Sequence, residues 1–236
     1  MFEFLGFGKK RANPPQLDAV FACETGLARQ DNQDNVLVSI GRGVFCVADG
    51  MGGGAEGAKA SDAVCRELKM TLHVAEADFD ARVSAAQNAL VDANYEIFEY
   101  ARARGYAHMG TTAAILVFDP ADRTRAATIH VGDSRVYRIR HGLAECLTRD
   151  HRVKGGNTLT RAVGGQPTVR CDYREIDVLA GDRFVICSDG VSSVVSDARI
   201  AVFASGGSLD TAAARLAEAV VKAGAPDNYS FILISA

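Results

Sequence analysis

Five aspartates in this sequence stand at the ends of apolar, strand-like stretches, where carboxylates can bind a cation. The stretches FCVADG, IHVGDS and FVICSDG contain Asp49, Asp133 and Asp189, each beside a glycine, and Asp34 and Asp227 come before NVLVSI and YSFILIS. A charged carboxylate beside buried strands costs free energy unless it is paired or binds a metal. If the strands share a pair of sheets, their ends converge on one acidic cluster. Oxygen ligands alone favour hard ions such as Mg²⁺ or Mn²⁺ over zinc.

A glycine-rich stretch, ADGMGGGAEGAKAS at residues 48–61, follows the first of these strands and has three explanations. The first is a dinucleotide-binding loop, because Gly52, Gly54 and Gly57 have its spacing between a strand and a helix. Against it, Asp49 would bring a negative charge to the pyrophosphate. In addition, the predicted helix leads to a second helix and not to the next strand of a βαβ unit.

The second explanation is a P-loop. Gly52 and Gly57 have the right spacing, but Ala58 occupies the lysine position and Lys59 comes one residue late, so the contacts to the β- and γ-phosphates are lost. In the third explanation, the aspartate before the first glycine bridges two cations, and that glycine lets its carbonyl group approach one of them. The other glycines then permit the turn into the helix. We favour this third explanation.

The pattern of apolar residues indicates which elements hold these aspartates. AVFACET and NVLVSIGRGVFCVAD predict three short strands. A helix over about Glu56–Ala75 follows, and a second helix extends from the capping Asp78 to Gly105. Four more strands with a His-Gly hairpin turn are predicted over residues 111–148, then two strands, a helix near Leu209–Lys222 and a last strand. Consecutive hairpins with two inserted helices predict an α+β fold with mainly antiparallel sheet.

Composition limits the classes of protein to consider. With 236 residues, 48% of them hydrophobic, and a net charge of −3, the chain has enough material for one core. We therefore predict a flexible tail at residues 1–15 and a single domain over residues 16–236. Scattered Lys and Arg predict no nucleic-acid partner, and strand-sized apolar stretches predict no membrane span. Six cysteines without Cys-x-x-Cys spacing predict reduced thiols and a cytoplasmic location.

Eight motifs, in order along nearly the whole chain from about residue 20, resemble the bacterial branch of the metal-dependent, type-2C protein serine/threonine phosphatases. They are ARQDNQDN, ADGMGG with the later AxAS, GTTAAILVF, HVGDSRVYRIR, LTRDH, NTLTRAVGG, GDRFVICSDG and APDNYSFILI. One such motif is a weak signal, but eight in sequence are specific. The resemblance implies a central sandwich of two mainly antiparallel β-sheets flanked by α-helices, in four αββα layers.

The resemblance also implies a set of metal ligands. Asp49 would bridge two Mn²⁺ or Mg²⁺ ions, and Gly50 would offer its carbonyl oxygen to one of them. Asp189 and Asp227 would complete the shell of the other ion. Asp133, together with Asp189, is similar to the third metal site of bacterial members, so a third ion is part of this expectation.

Two further residues gain a catalytic role from the resemblance. Asp34 would hold a metal-bound water, and Arg29 matches the arginine that binds two oxygens of the substrate phosphate at once. In the implied reaction, two ions lower the pKa of a shared water, which attacks phosphorus in line. The expected substrates are phosphoserine and phosphothreonine in proteins, and the expected opposing partner of this monomer is a bacterial serine/threonine kinase.

The sequence departs from the family near the ions and near the substrate. Gln33 stands where many members have glutamate. Only Arg152–Gly156 separate LTRDH from NTLTRAVGG, where many members have a longer helical lid segment. These departures support an alternative function, a weakly active or non-catalytic regulatory domain that binds phosphoproteins.

The residue that protonates the leaving group has no assignment. Gly54 occupies a position where bacterial members often have histidine, and Met51 follows Asp-Gly where eukaryotic members have one. His130 in a predicted strand and His141 in a predicted turn are expected to be structural. We expect the same of His151, the histidine that the family pattern singles out.

Overall fold

The structure is a computed structural model that describes residues 16–52, 54–74, 78–156 and 158–236. The flexible tail predicted for residues 1–15 lies outside the described residues. The strands are β1 (Asp18–Glu24), β2 (Asp34–Ser39), β3 (Val44–Met51), β4 (Gly110–Thr111), β5 (Ala113–Phe118), β6 (Arg125–Val131), β7 (Arg135–Arg140), β8 (Leu143–Cys146), β9 (Asp172–Asp177), β10 (Arg183–Cys187) and β11 (Tyr229–Ser235). The helices are α1 (Ala55–Val74), α2 (Phe79–Arg104), α3 (Asp189–Ser192), α4 (Asp197–Ser205) and α5 (Leu209–Lys222).

The strands form two antiparallel sheets. One sheet has the order β1-β11-β10-β7-β8, and in the other β2-β3-β5-β6-β9 are neighbours while β4 pairs with β3. The last strand of the chain, β11, therefore lies between the first strand and β10. In this antiparallel arrangement the last residues of β10 lie beside the first residues of β11, at one end of the strands. The last residues of β3 lie beside the first residues of β2 in the same way.

The alternation of side chains along β5 shows how the layers pack. Every residue of this strand is buried, as expected for a strand covered on both faces. Ala113, Ile115 and Val117 pack with the buried side chains of α1 and α2. Ala114, Leu116 and Phe118 pack with side chains of the other sheet, such as those of β10 and β11. A third core joins the five-stranded sheet to α4 and α5. The order helix, sheet, sheet, helix confirms the predicted four-layer αββα fold.

The glycine-rich stretch makes the turn from β3 into α1. Gly52 and Gly54 have φ angles of +141° and +59°, which residues other than glycine rarely adopt. A Cβ atom on Gly50 would clash with the carbonyl oxygen of Gly57 and lie 2.6 Å from that of Gln33. The end of the strand and the start of the helix can therefore approach each other only with glycine at position 50.

Several predicted boundaries are confirmed, and two helices were not predicted. Gly105 ends α2 in the left-handed conformation with φ +72°, although Asp78 makes no side-chain cap at its start. His141 and Gly142 have φ +52° and +77°, the signs needed by a tight hairpin turn.

The helices α3 and α4 are short, four and nine residues, and their sequences carry little helical periodicity. Within the described residues, none of the helices combines the length and apolar character needed to cross a membrane.

Candidate metal centre

The five aspartates predicted to cluster come together at one edge of the sandwich. Asp34 and Asp49 are direct cross-strand partners on β2 and β3. Asp133 follows β6 in the same sheet, whereas Asp189 follows β10 and Asp227 precedes β11 in the other. Burial raises the pKa of Asp49 well above its ordinary value, and the charges of the other four aspartates raise it further. The cluster therefore surrounds Asp49 and joins both sheets.

Asp34 is the aspartate with an unsatisfied buried oxygen. Its side chain is buried, and the Ser188 hydroxyl group donates a 2.8 Å hydrogen bond to Oδ2. Its other oxygen, Oδ1, is buried without a hydrogen-bond partner. Burial, more than the nearby Asp189, raises the pKa of Asp34 to about 6. A buried carboxylate oxygen without a partner is rare in proteins, and a bound cation or water would satisfy it.

Backbone and hydroxyl groups hold Asp49 in place. Its backbone N–H donates to Thr112 Oγ1 at 2.9 Å, and its carbonyl oxygen accepts from the N–H of Thr112 at 2.8 Å and from Thr111 Oγ1 at 2.9 Å. The Thr112 and Ser134 hydroxyl groups are 2.6 Å apart. The GTT and GDS motifs thus connect Asp49 in β3 with the loop after β6 that carries Asp133.

Gln33 links the glycine-rich turn to the rest of the centre. Its carbonyl oxygen accepts from the N–H of Gly50 at 3.1 Å and from Ser61 Oγ at 2.6 Å, and its own N–H donates to Asn228 Oδ1 at 3.0 Å. Sequence analysis assigned no role to Ser61 or Asn228. Both lie within the quoted motifs, which is the signal that could have identified them. Their contacts explain why serine and asparagine occur there.

Arg29 lies at the centre, but its guanidinium group pairs with an aspartate. Nη2 and Nε each lie 2.8 Å from an oxygen of Asp227, and about half of the Arg29 side chain is exposed. These two contacts use one edge of the guanidinium group, which has five N–H donors in all. The predicted role of Arg29 in phosphate binding stays a prediction, with the residue beside the proposed ligands.

Asp133 and Asp189 come together as expected, with an arginine between them. Arg152 donates from Nε to Asp133 Oδ2 and from Nη2 to Asp189 Oδ2. Burial and the charge of Asp189 raise the pKa of Asp133, and Arg152 acts in the opposite direction. This position therefore already holds a positive charge that belongs to the chain.

Oxygen donors fit two divalent ions between the remaining aspartates. The donors available around Asp49 are carboxylate oxygens and the Gly50 carbonyl group. Hard cations such as Mg²⁺ and Mn²⁺ prefer this donor set. The orphaned Asp34 oxygen and the raised pKa of Asp49 are both relieved by positive charge. The described residues thus fit a pair of such ions.

A cavity of about 790 Å³ opens from the aspartate cluster. Besides the residues of the cluster, it is lined by Arg102, Tyr106, His108, Arg161 and Gln166. His108 is the histidine among the residues that line this cavity, and sequence analysis gave it no role. It lies in the loop between α2 and β4, where no periodic pattern could have singled it out.

A second group of possible metal-binding side chains, His130, His151 and Asp172, is a hydrogen-bond network. The N–H of Gly132 donates to His151 Nδ1 at 3.0 Å, so the proton of a neutral His151 ring is on Nε2, which faces Asp172 Oδ2 at 3.2 Å. A protonated Nε2 has no lone pair for a metal. Burial and the neighbouring His151 lower the pKa of His130 to about 4.

Comparison with known proteins identifies the group to which the chain is related. The profile of the family described as protein phosphatase 2C matches residues 22–223. The serine/threonine protein phosphatase PstP of Mycobacterium tuberculosis is 30% identical over 239 aligned positions, which cover 89% of this chain and 43% of PstP. The chain therefore spans less than half the length of this relative.

Solved structures agree with this relationship. PppA of Pseudomonas aeruginosa superposes with a TM-score of 0.89 at 29% identity, covering 94% of this chain and 98% of PppA. The catalytic domain of PstP, solved in complex with two manganese ions, gives a TM-score of 0.81 at 29% identity, covering 93% of this chain and 97% of that domain. With the matching fold and the eight ordered motifs, the profile match over most of the chain establishes that this protein belongs to the protein phosphatase 2C family.

Proposed function

We propose that this chain is a protein serine/threonine phosphatase that uses two Mn²⁺ or Mg²⁺ ions. The observation that carries the proposal is the convergence of aspartates from both sheets on Asp49, with the orphaned oxygen of Asp34 beside it. Family membership supports metal dependence and a phosphoprotein substrate. A serine/threonine kinase as the opposing enzyme, a monomeric state and a single domain over residues 16–236 belong to the same proposal.

The residues of the chain have separate tasks in this reaction. Asp49 and the carbonyl group of Gly50 hold one ion, and Asp49, Asp189 and Asp227 hold the other. The bound ions supply an activated water and stabilise negative charge on the phosphate group. Asp34, which accepts a hydrogen bond from the Ser188 hydroxyl group, would hold a water beside the two metal ions.

Arg29 binds the phosphate group in this proposal. Its Nε and one Nη2 donor remain on Asp227, and the Nη1 donors are directed to the substrate oxygens. The pairing with Asp227 thus pre-orients the guanidinium group, because it removes rotamer freedom before the substrate binds.

A regulatory domain that binds phosphoproteins without cleaving them is the second candidate. Gln33 in place of a glutamate favours it, since one carboxylate is lost beside the ions. The backbone carbonyl group of Gln33 nevertheless holds the turn at Gly50, and its backbone N–H donates to Asn228. Neither contact depends on a charged side chain at position 33.

Release of phosphate from a phosphothreonine peptide tests the proposal. We expect turnover with Mn²⁺, none after chelation by EDTA, and recovery when Mn²⁺ or Mg²⁺ is added back. Peptide binding without turnover in the presence of Mn²⁺ would favour the regulatory candidate. Turnover that is unaffected by EDTA would exclude a metal-dependent mechanism.

A further inference from the structure

Arg152 occupies the place where the family resemblance implies a third ion. Its guanidinium group donates to one oxygen of Asp133 and one oxygen of Asp189, so that it bridges the two carboxylates. Only 23% of the Arg152 side chain is exposed, and the Asp133 side chain is buried. The arginine is therefore part of the wall of the centre and not a freely moving surface residue.

The backbone around Arg152 directs it into this position. Arg152 and Leu159 form a β-bridge, Val153 N–H donates to the Thr158 carbonyl oxygen at 2.9 Å, and Thr160 N–H donates to that of His151 at 2.8 Å. Residues 151–153 and 158–160 thus pair as the two arms of a hairpin, which matches the short spacing between the two flanking motifs. This pairing sets the direction of the Cα–Cβ bond of Arg152, and the contacts with Asp133 and Asp189 hold the end of the side chain.

The hairpin is also tied to the loop that carries Asp133. The N–H of His151 donates to the Gly132 carbonyl oxygen at 2.8 Å, and Gly132 N–H donates to His151 Nδ1 at 3.0 Å. Two hydrogen bonds thus join the residue before Arg152 to the residue before Asp133. Arg152 and Asp133 cannot separate far unless these bonds break.

The charge of Arg152 is permanent. A guanidinium group stays protonated at every pH at which the protein is folded, and its planar donors match two carboxylates. A divalent ion between Asp133 and Asp189 would meet this positive charge at short range and would have to displace the side chain. The guanidinium group uses one oxygen of Asp189 and leaves the other for the neighbouring ion pair.

We propose that Arg152 is a built-in cation that replaces the third divalent ion, so that the centre binds two ions and Arg152 positions Asp189 for one of them. The inference rests on the proposed function for the two ions. It differs from that proposal in its observable, which is the number of bound ions and not turnover.

Counting bound Mn²⁺ by equilibrium dialysis and by calorimetry tests the inference. We expect two sites in the wild type and a third, weaker site in Arg152→Ala, because Asp133 and Asp189 are then free to bind Mn²⁺. The double variant Arg152→Ala/Asp133→Asn should return to two sites. Arg161→Ala is the matched control, since Arg161 follows in the same segment and pairs with Asp172 away from the aspartate cluster.

The outcomes separate the inference from the proposed function. Three Mn²⁺ sites in the wild type, or no gain of a site in Arg152→Ala, would overturn the role of Arg152, whatever the turnover. A wild type that binds two ions but releases no phosphate would contradict the phosphatase and leave the ion count intact. If Arg152→Ala does not fold, the wild-type count and the count in Arg152→Gln decide the matter.

Discussion

At the scale of single residues, burial raises the pKa of the carboxyl groups of Asp34 and Asp49 in the middle of the cluster. Asp49 and Asp189 each supply negative charge on which the binding of the two metal ions depends. We expect Asp49→Asn and Asp189→Asn to lose turnover while the proteins remain folded, because an amide relieves repulsion among the aspartates. Phosphate release and thermal melting measure the two effects, with Asp210→Asn in the first turn of α5 as the control. Activity above about 1% of wild type in both variants would contradict the assignment of a two-ion site.

The pairing of Arg29 with Asp227 makes its role testable by two substitutions. Hydrogen bonds to charged groups contribute about 1.5–3 kcal/mol, so Arg29→Ala should raise KM by about tenfold or more. Arg29→Lys should recover part of this loss, because one ammonium group cannot bind two phosphate oxygens in a plane. KM should be measured over a range of Mn²⁺ concentrations. If Lys equals Arg, phosphate binding does not depend on Arg29, and if excess Mn²⁺ removes the whole effect, Arg29 acts through Asp227 instead.

His130 gives the folded protein a pH dependence that one substitution should remove. Its pKa is lowered to about 4 in the folded chain, against 6.5 without the fold. The unfolded chain therefore takes up a proton first as the pH falls. The stabilisation from neutral His130 is present above pH 6.5 and is lost between pH 6.5 and about 4.

The measurement is the free energy of unfolding of the wild type and of His130→Gln at several pH values. The difference between the two should fall by about 3–4 kcal/mol across this range, since each pKa unit corresponds to about 1.4 kcal/mol. His141→Asn in the hairpin turn, where asparagine tolerates the left-handed backbone, is the control. A difference that is constant with pH would show that His130 does not titrate as inferred.

At the scale of elements, the turn from β3 into α1 and the loop from α2 to β4 carry the two candidate positions, Gly54 and His108, for an acid that would protonate the leaving group. Gly54 in the turn has no side chain to act as an acid. A positioned general acid contributes about 10²–10⁴-fold, so its absence predicts a steep fall in kcat from nitrophenyl to phenyl phosphate. His151→Gln should leave this slope unchanged.

Two variants test which position can supply an acid for the leaving group. Gly54→His should flatten the slope if the left-handed backbone of that turn, φ +59°, tolerates histidine. His108 is the other candidate, because it lines the cavity from the loop opposite the turn. A shallow slope in the wild type that steepens in His108→Gln would identify His108 as the acid, and one that steepens in His151→Gln would contradict its structural role.

At the scale of the whole molecule, ions bound between the two sheets should stabilise the sandwich. Asp34, Asp49 and Asp133 come from one sheet and Asp189 and Asp227 from the other, so unfolding separates the ligands. A ligand at a hundred times its Kd stabilises the native state by about 2.7 kcal/mol. We expect Mn²⁺ to raise Tm by several degrees over EDTA in the wild type, and much less in Asp49→Asn. Equal melting temperatures with and without Mn²⁺ would contradict binding between the sheets.

Sequence patterns predicted most of the elements, the four layers and the family, but not the short helices α3 and α4. Alternating and continuous apolar stretches are local signals, and they predicted the strand β5 and the helix Leu209–Lys222. The start of β5 was not predicted, because the stretch from Thr111 is divided between β4 and β5. The aspartates at strand ends were visible for the same reason, because an acidic residue next to a buried strand stands out in one dimension. The roles of Asp34, Asp49, Gly50, Asp189 and Asp227 as ligands stay predictions, although the structure brings them to one edge.

Which groups meet across long distances in the sequence depends on the tertiary structure. Arg29 is 198 residues from Asp227, and Arg152 is 37 residues from Asp189, so no local pattern could pair them. The same holds for His108, whose loop carries no periodic pattern but lines the cavity that opens from the aspartates. Strand order and hairpin geometry determine these contacts, because they set which strand ends share an edge and which side chains are directed toward it.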